Sequence, residues 1–177
     1  DRLQVRLEAL SYPDTLLANQ ARLTAARYLW TRYKRDSDAL ALCEQIIASK
    51  RYENPVTRAS ACELKYQVQK SKKLAGSETL LLEKALTLLE GVRQPLPLGF
   101  DSIVLNIVRP NNFETVALSV GDTALRAGDL AESRRALKLA GKFEKNSDPY
   151  MASQWSSLKS GIDTLSGVQL NNSSNHK

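Results

Sequence analysis

Few residues in this sequence belong to the types that carry out chemistry. The chain has two cysteines, Cys43 and Cys62, and one histidine, His176, which stands one residue before the end of the sequence. Nucleophilic and general acid–base catalysis usually need such groups side by side in a cleft. A zinc site needs four ligands, and two thiols with one distant imidazole do not supply them. The sequence therefore predicts no catalytic residues, no metal site, no cofactor and no enzyme activity.

The two cysteines are the remaining pair whose spacing suggests chemistry. Cys43 and Cys62 stand at nearly equal distances on either side of a turn predicted near Tyr52 and Glu53, so an antiparallel hairpin would place them at the same height. If both face the seam, a disulfide is within reach and indicates an oxidising compartment such as the periplasm. The alternative is two buried free thiols in a helical core, as in a cytoplasmic protein. We expect an extracytoplasmic location, with the cytoplasm as the alternative.

The elements that must position these residues are helices. The 177 residues are 42% hydrophobic but only 6% aromatic, and Ala and Leu, which favour helices, are abundant. Apolar residues recur at three- and four-residue steps from Leu16 to Lys34, a period that predicts a first helix with one apolar face. No apolar run reaches the ~20 residues that a membrane-spanning helix needs. The sequence predicts an all-α fold without a transmembrane segment.

Turn residues divide the rest of the chain into helical pairs. Asn54-Pro55 and Gly91 end the first and second pairs, and Pro95 and Pro97 exclude a regular helix between the second and third. Whether the apolar residues 100–108 form a strand-like stretch or a helical turn stays open. The sequence predicts a single domain over residues 1–166, made of hairpins at about 16–50, 56–92 and 113–145 and a helix over 149–166, before a disordered polar tail at 167–177.

The third hairpin carries a distinctive spacing of small residues. Gly121 stands where two helices would need to approach closely, and Gly128-Asp129 supplies the turn between them. Small, large and small side chains then follow along the second helix at Ser133, Leu137 and Ala140. With these features the segment 113–145 resembles a tetratricopeptide repeat. It departs from that family at Lys145, where a late proline is usual.

The other two hairpins resemble the family more loosely. In the first, Leu23, Ala26, Trp30, Ala39, Cys43 and Ile46 fall at the family's spacings, but Arg27 occupies the small-residue site. In the second, the predicted helices are long, and Ala61 is the best small residue. The resemblance covers residues 16 to about 145. It implies stacked antiparallel hairpins in a tetratricopeptide-like right-handed superhelix with a C-terminal capping helix, in contrast to a plain helical bundle.

The resemblance also implies a function. Such repeats hold a protein segment in a groove lined by the first helix of each pair, so it implies a non-catalytic adaptor or assembly factor for a larger complex, such as a cell-envelope secretion or pilus machine. Arginine forks and tyrosine rings suit an acidic or carboxylate-ended segment. The partner-binding residues that the resemblance implies are Tyr28, Arg32, Arg58, Lys65, Tyr66, Leu118, Asp122, Leu125 and Arg126.

The positive net charge of the chain allows a second interpretation of its function. The formal net charge is +6, and basic residues cluster at Lys65, Lys70, Lys72 and Lys73 and again at Arg134, Arg135, Lys138 and Lys142. Nucleic-acid binding is favoured by aromatic side chains between such charges, and here the aromatic residues lie mostly elsewhere. Nucleic acid is therefore not favoured as a partner. A cytosolic regulatory or nucleic-acid-associated helical domain is the alternative to the adaptor.

Overall fold

The secondary structure is helical throughout the described part of the chain. The computed structural model describes residues 16–49, 54–72, 78–93, 113–142 and 149–174, and these contain seven helices and no strand. The predicted all-α class is confirmed. The helices are α1 (Leu16–Thr31), α2 (Asp36–Ala48), α3 (Pro55–Ser71), α4 (Glu78–Glu90), α5 (Phe113–Arg126), α6 (Leu130–Ala140) and α7 (Pro149–Ser174).

The helices fall into two compact units, Asp1–Asn111 and Asn112–Lys177. In the first unit α1 packs against α2, α2 against α3 and α3 against α4, and α1 also contacts α3. In the second unit α5 packs against α6, α6 against α7, and α5 also contacts α7. Neighbouring helices are thus packed together in both units. The single domain predicted over residues 1–166 stays a prediction.

The core of the first unit lies where α1, α2 and α3 meet. Small residues bring the helices close, and branched residues fill the remaining space, with Trp30 packed at the edge. Removing a Leu or Ile side chain from water stabilises the fold by about 1.5–3 kcal/mol. The buried residues of this cluster are Leu23, Ala26, Leu29, Ala39, Cys43, Ile46, Ala61, Leu64 and Val68.

The start of α3 follows directly from two residues. The side-chain oxygen of Asn54 accepts hydrogen bonds from the backbone N–H groups of Val56 and Thr57, at 3.0 and 3.4 Å. Pro55 takes the first helical position, where its missing N–H is not needed. The turn predicted at Asn54-Pro55 is confirmed, and it fixes where α3 begins.

The turn between α5 and α6 also agrees with its sequence. Gly128 has a φ of +82°, a conformation that side chains with a Cβ rarely adopt. The carboxylate of Asp129 then caps α6 by accepting the backbone N–H of Glu132 at 3.1 Å. Inside this hairpin, Gly121 on α5 faces Ala136 on α6 and Leu158 on α7 at close range. The predicted close approach at Gly121 is confirmed within the second unit.

Two helix ends differ from their predictions. Helix α1 ends at Thr31 instead of continuing to Lys34, because the backbone turns out of the helix at Lys34, which has a φ of +55°. Helix α7 continues to Ser174 instead of ending at residue 166, since adding residues to an existing helix costs little and no proline follows Pro149. The predictions for residues 94–110 and for His176 lie outside the described residues.

Candidate partner-binding surface

The two cysteines are buried free thiols, so the predicted disulfide is not supported. The core cluster that holds Cys43 takes Ala61 from α3 and does not include Cys62. Cys62 is also fully buried but lies outside that cluster, one residue further along α3. The equal height of the two residues along the hairpin therefore does not by itself join their thiols. The extracytoplasmic location expected from such a bond has no support in the described residues.

Burial makes both thiols weakly reactive. Burial, and after it the neighbouring Cys62, raise the pKa of the Cys43 thiol from 9.0 to about 12. Burial likewise raises the pKa of the Cys62 thiol to about 11, and Lys84 and Arg58 act in the opposite direction. The thiolate is the nucleophilic and metal-binding form of cysteine. Both residues therefore act as small apolar core residues at neutral pH.

The three implied partner-binding residues on α3 mainly make contacts inside the first unit. Arg58 donates a hydrogen bond to the carbonyl oxygen of Ile47 at 3.1 Å, which caps the C-terminal end of α2. Lys65 forms an ion pair with Glu44 of α2 at 2.8 Å. Tyr66 is 2% exposed and belongs to the core. These residues bind neighbouring helices, and none of them presents an open surface for a partner.

On α5 the implied residues divide into buried and exposed ones. Leu118 is buried, and the side chain of Leu125 lies against Gly161 of α7, where a Cβ would collide with it. Asp122 and Arg126 are one turn apart and form an ion pair at 2.6 Å, with the Arg126 side chain 77% exposed. Asp122 and Arg126 thus present their charged groups to solvent and bind each other.

The implied residues on α1 and directly after it are the ones that the structure leaves open. Tyr28 is 51% exposed, and Arg32 is exposed one helical turn further on. Tyr33, which is 60% exposed, and the exposed Lys34 lie in the turn that follows α1. We call Tyr28, Arg32, Tyr33 and Lys34 the α1 basic–aromatic surface. The structure brings Tyr28 and Arg32 together there and places the other implied residues elsewhere.

Sequence reasoning misses Tyr33 and Lys34 as members of this surface. The three- and four-residue period counts Tyr33 as an apolar helical position, but α1 has already ended there. A signal does exist in the sequence, because aromatic and basic side chains alternate closely from Trp30 to Arg35. Such a mixture on a core-facing helix end would be costly, so it indicates solvent exposure.

The basic clusters considered for nucleic acid are largely occupied by neighbouring groups. In the first cluster Lys72 pairs with Asp36 at 3.4 Å, and the ammonium group of Lys70 lies 5.6 Å from the centre of the Tyr66 ring. In the second, Arg135 pairs with Glu132 at 3.1 Å, and Arg134 donates a hydrogen bond to the Ser166 hydroxyl. These four of the eight basic residues named for the clusters thus contact neighbouring groups, and Lys73 lies outside the described residues.

Within the described ranges, no three Cys, His, Asp or Glu residues group together as a metal site. Among the described helices, none combines the length and the hydropathy that spanning a bilayer requires. No protein-family model, curated protein or solved structure matches this chain.

Proposed function

We propose that this protein is a non-catalytic adaptor built from tetratricopeptide-like hairpins, which binds a segment of another protein on the exposed side of its first helix. The repeated order of packing supports the repeat reading. In each unit every helix packs on the next one along the chain, and the first helix of the unit also contacts the third. Stacked helical repeats produce this order, because each hairpin buries its apolar face against the helix that follows.

The last helix supports a capping role within the second unit. Its buried residues Met151, Leu158 and Ile162 share one side, and that side meets α5 and α6. The exposed residues of α7 include six uncharged polar ones: Ser153, Gln154, Ser156, Ser157, Ser160 and Thr164. A terminal helix in a repeat array needs such an outer face, since no further repeat covers it.

The observation that carries the binding proposal is the exposure of the α1 basic–aromatic surface. Tyr28 is open on a helix whose opposite side is packed into the core through Leu23 and Ala26, and Arg32 is exposed directly after that helix ends. Tyrosine and arginine are the residue types that contribute most at protein interfaces, because they offer large contact area together with directed hydrogen bonds. A role in assembling a larger complex is the wider form of this proposal.

A photocrosslinking experiment in the native host tests the proposal. A photoreactive phenylalanine analogue replaces Tyr28, or replaces Gln45, which is exposed on α2 and serves as the matched control. We expect one protein to be crosslinked through position 28 and not through position 45. The crosslinked protein is then purified and titrated into the unmodified chain by calorimetry.

A saturable complex of defined stoichiometry would support the adaptor function. Crosslinking of nucleic acid instead of protein, or equal capture from both positions, would overturn it. Absence of any crosslinked partner when the protein is present at its native level would also count against it, because Tyr28 is already exposed.

A further inference from the structure

The charged residues on α1 and in the turn that follows it are all basic. Every charged residue from position 16 to position 35 is basic. The carboxylates nearest along the chain, on α2, are already engaged: Asp36 with Lys72, Asp38 with Arg35, and Glu44 with Lys65. Arg32 and Lys34 are exposed, and no hydrogen bond or ion pair links either side chain to any described residue. Within the described part of the chain, these two neighbouring cations have no counter-charge.

The backbone at Lys34 is a second and independent observation. Its φ of +55° lies in the left-handed region, which glycine adopts at helix ends at little cost. This turn lets the N–H of Arg35 donate to the carbonyl oxygen of Leu29 at 2.9 Å and so closes α1. A lysine at such a position is less favourable than glycine, and the Lys34 side chain is exposed. Backbone strain of this kind is often found where a side chain serves binding.

Two exposed tyrosines stand close to Arg32 and Lys34 in the sequence. Tyr28 precedes Arg32 by one helical turn, and Tyr33 stands between Arg32 and Lys34 in the sequence; the rings are 51% and 60% exposed. Each ring offers apolar area and a hydroxyl group in the same place. A ligand that fits this surface therefore carries carboxylates for the cations and apolar groups for the rings.

We propose that the α1 basic–aromatic surface is a docking site for an acidic protein segment, one that presents Asp or Glu side chains beside an apolar residue. This rests on the adaptor function proposed above and names the chemistry of its partner. The carboxylates bind Arg32 and Lys34, and the apolar residue covers Tyr28 or Tyr33. An arginine fork binds a carboxylate through two hydrogen bonds, so Arg32 supplies direction and Lys34 supplies charge.

The test begins with selection from a library of short random peptides on the immobilised full chain. We expect the enriched peptides to carry net negative charge and an apolar residue. An enriched peptide is synthesised with a fluorescent label, together with a version in which Gln replaces each Glu. Fluorescence anisotropy should show saturable binding of the first, weakened as salt rises, and at least about tenfold weaker binding of the second.

Three variants locate the site. Arg32→Glu should weaken binding of the acidic peptide by about tenfold or more. Arg93→Glu makes the same charge change at an exposed residue just after α4 and should leave binding within about twofold. Lys34→Gly should raise the thermal midpoint of unfolding, since it relieves the left-handed backbone, and still weaken binding. Loss of binding in a more stabilised protein cannot be explained by misfolding.

Several outcomes would overturn the inference. Enriched peptides without net negative charge, or equal weakening by Arg93→Glu, would show that these cations are not the site. Tighter binding of a single-stranded DNA oligonucleotide, or of phosphatidylserine vesicles, than of the acidic peptide would assign the surface to phosphates. If the crosslinked protein partner binds normally to Arg32→Glu and Lys34→Gly, the docking site is wrong while the adaptor function stands.

Discussion

Gly121 of α5 and Ala136 of α6 lie so close that a Cβ on the glycine would be 2.9 Å from the Cβ of the alanine. The same Cβ would lie 2.6 Å from Cδ2 of Leu158 on α7. The leucine can change its rotamer, but the alanine Cβ is fixed to the backbone and can retreat only if the helix moves. The absence of a side chain at Gly121 therefore sets the distance between α5 and α6.

We expect Gly121→Ala to lower the free energy of unfolding by about 1–2 kcal/mol. Overpacking of this kind costs about 1–3 kcal/mol, and alanine returns about 0.5–1 kcal/mol of helix propensity. Urea denaturation followed by circular dichroism measures the difference. Gly167→Ala is the matched control, because Gly167 lies in α7 with nothing within 4 Å of an added Cβ.

The control should be stabilised by about 0.5–1 kcal/mol through helix propensity alone. Equal stability changes at both positions would show that Gly121 does not define the helix spacing. The comparison also separates a packing role from a simple preference for flexible backbone.

Local signals explain which parts of the fold could be predicted. Gly128 has a left-handed backbone and Asp129 caps the next helix, and each effect depends on residues only a few positions away. Asn54 and Pro55 start α3 for the same reason. Turns and helix starts of this kind are decided within one segment of chain, so the sequence indicates them correctly.

The exposure of individual side chains could not be predicted in the same way. Helix α3 packs against α1, α2 and α4, so almost its whole circumference is covered and Tyr66 becomes a core residue. Leu118 is buried similarly on α5. The repeat register assigns both residues to an open groove, but which side of a helix is open depends on its neighbours. Tyr28 and Arg32 stay exposed, while among the described helices α1 contacts α2 and α3 and not α4.

The start of α3 offers a test of these local signals. Replacing Asn54 by Ala should lower the free energy of unfolding by about 1 kcal/mol, because the N–H groups of Val56 and Thr57 lose their acceptor. Asn54→Asp keeps an acceptor at the same position and should cost much less. Urea denaturation of the three proteins measures both values. A loss as large for Asp as for Ala would mean that the buried amide of Asn54, and not its capping oxygen, is the important group.

Arg27 stands at a position where tetratricopeptide repeats have a small residue, and a hydrogen bond accommodates its long side chain. Its guanidinium donates a 2.8 Å hydrogen bond to the hydroxyl of Ser60 on α3, and that serine is fully buried. Arg27→Ala should destabilise the protein by about 1–3 kcal/mol, because it leaves a buried hydroxyl without this donor. Ser60→Ala in the same chain should recover part of the loss, since no polar group is then left unsatisfied.

A double-mutant cycle over Arg27 and Ser60 measures the coupling between the two residues. We expect a coupling free energy of about 1 kcal/mol or more, as for a hydrogen bond with a charged donor. Strictly additive losses would show that the two side chains stabilise the fold independently. In that case the contact between α1 and α3 depends on apolar packing alone.

The buried thiols predict how stability depends on alkaline pH. The pKa of Cys43 rises to about 12 and that of Cys62 to about 11 on folding, from an ordinary value of 9.0. Between pH 9 and those values the unfolded chain loses protons that the folded chain keeps, so stability is full below pH 9 and falls as pH rises. At about pH 10 each cysteine should account for a loss of about 1 kcal/mol.

Tyrosines and lysines also ionise in this range, so the comparison needs a variant without thiols. The double variant Cys43→Ala, Cys62→Ala should be less stable at pH 7 because it loses buried volume, but its stability should fall less between about pH 8 and pH 10. Urea denaturation at both pH values gives the difference, and a thiol reagent applied to the native protein should react slowly with both cysteines. If the double variant loses stability as steeply as the parent chain, the two thiols ionise as freely in the folded protein as in the unfolded one, and the packing of Cys43 against α1 and α3 is looser than its full burial indicates.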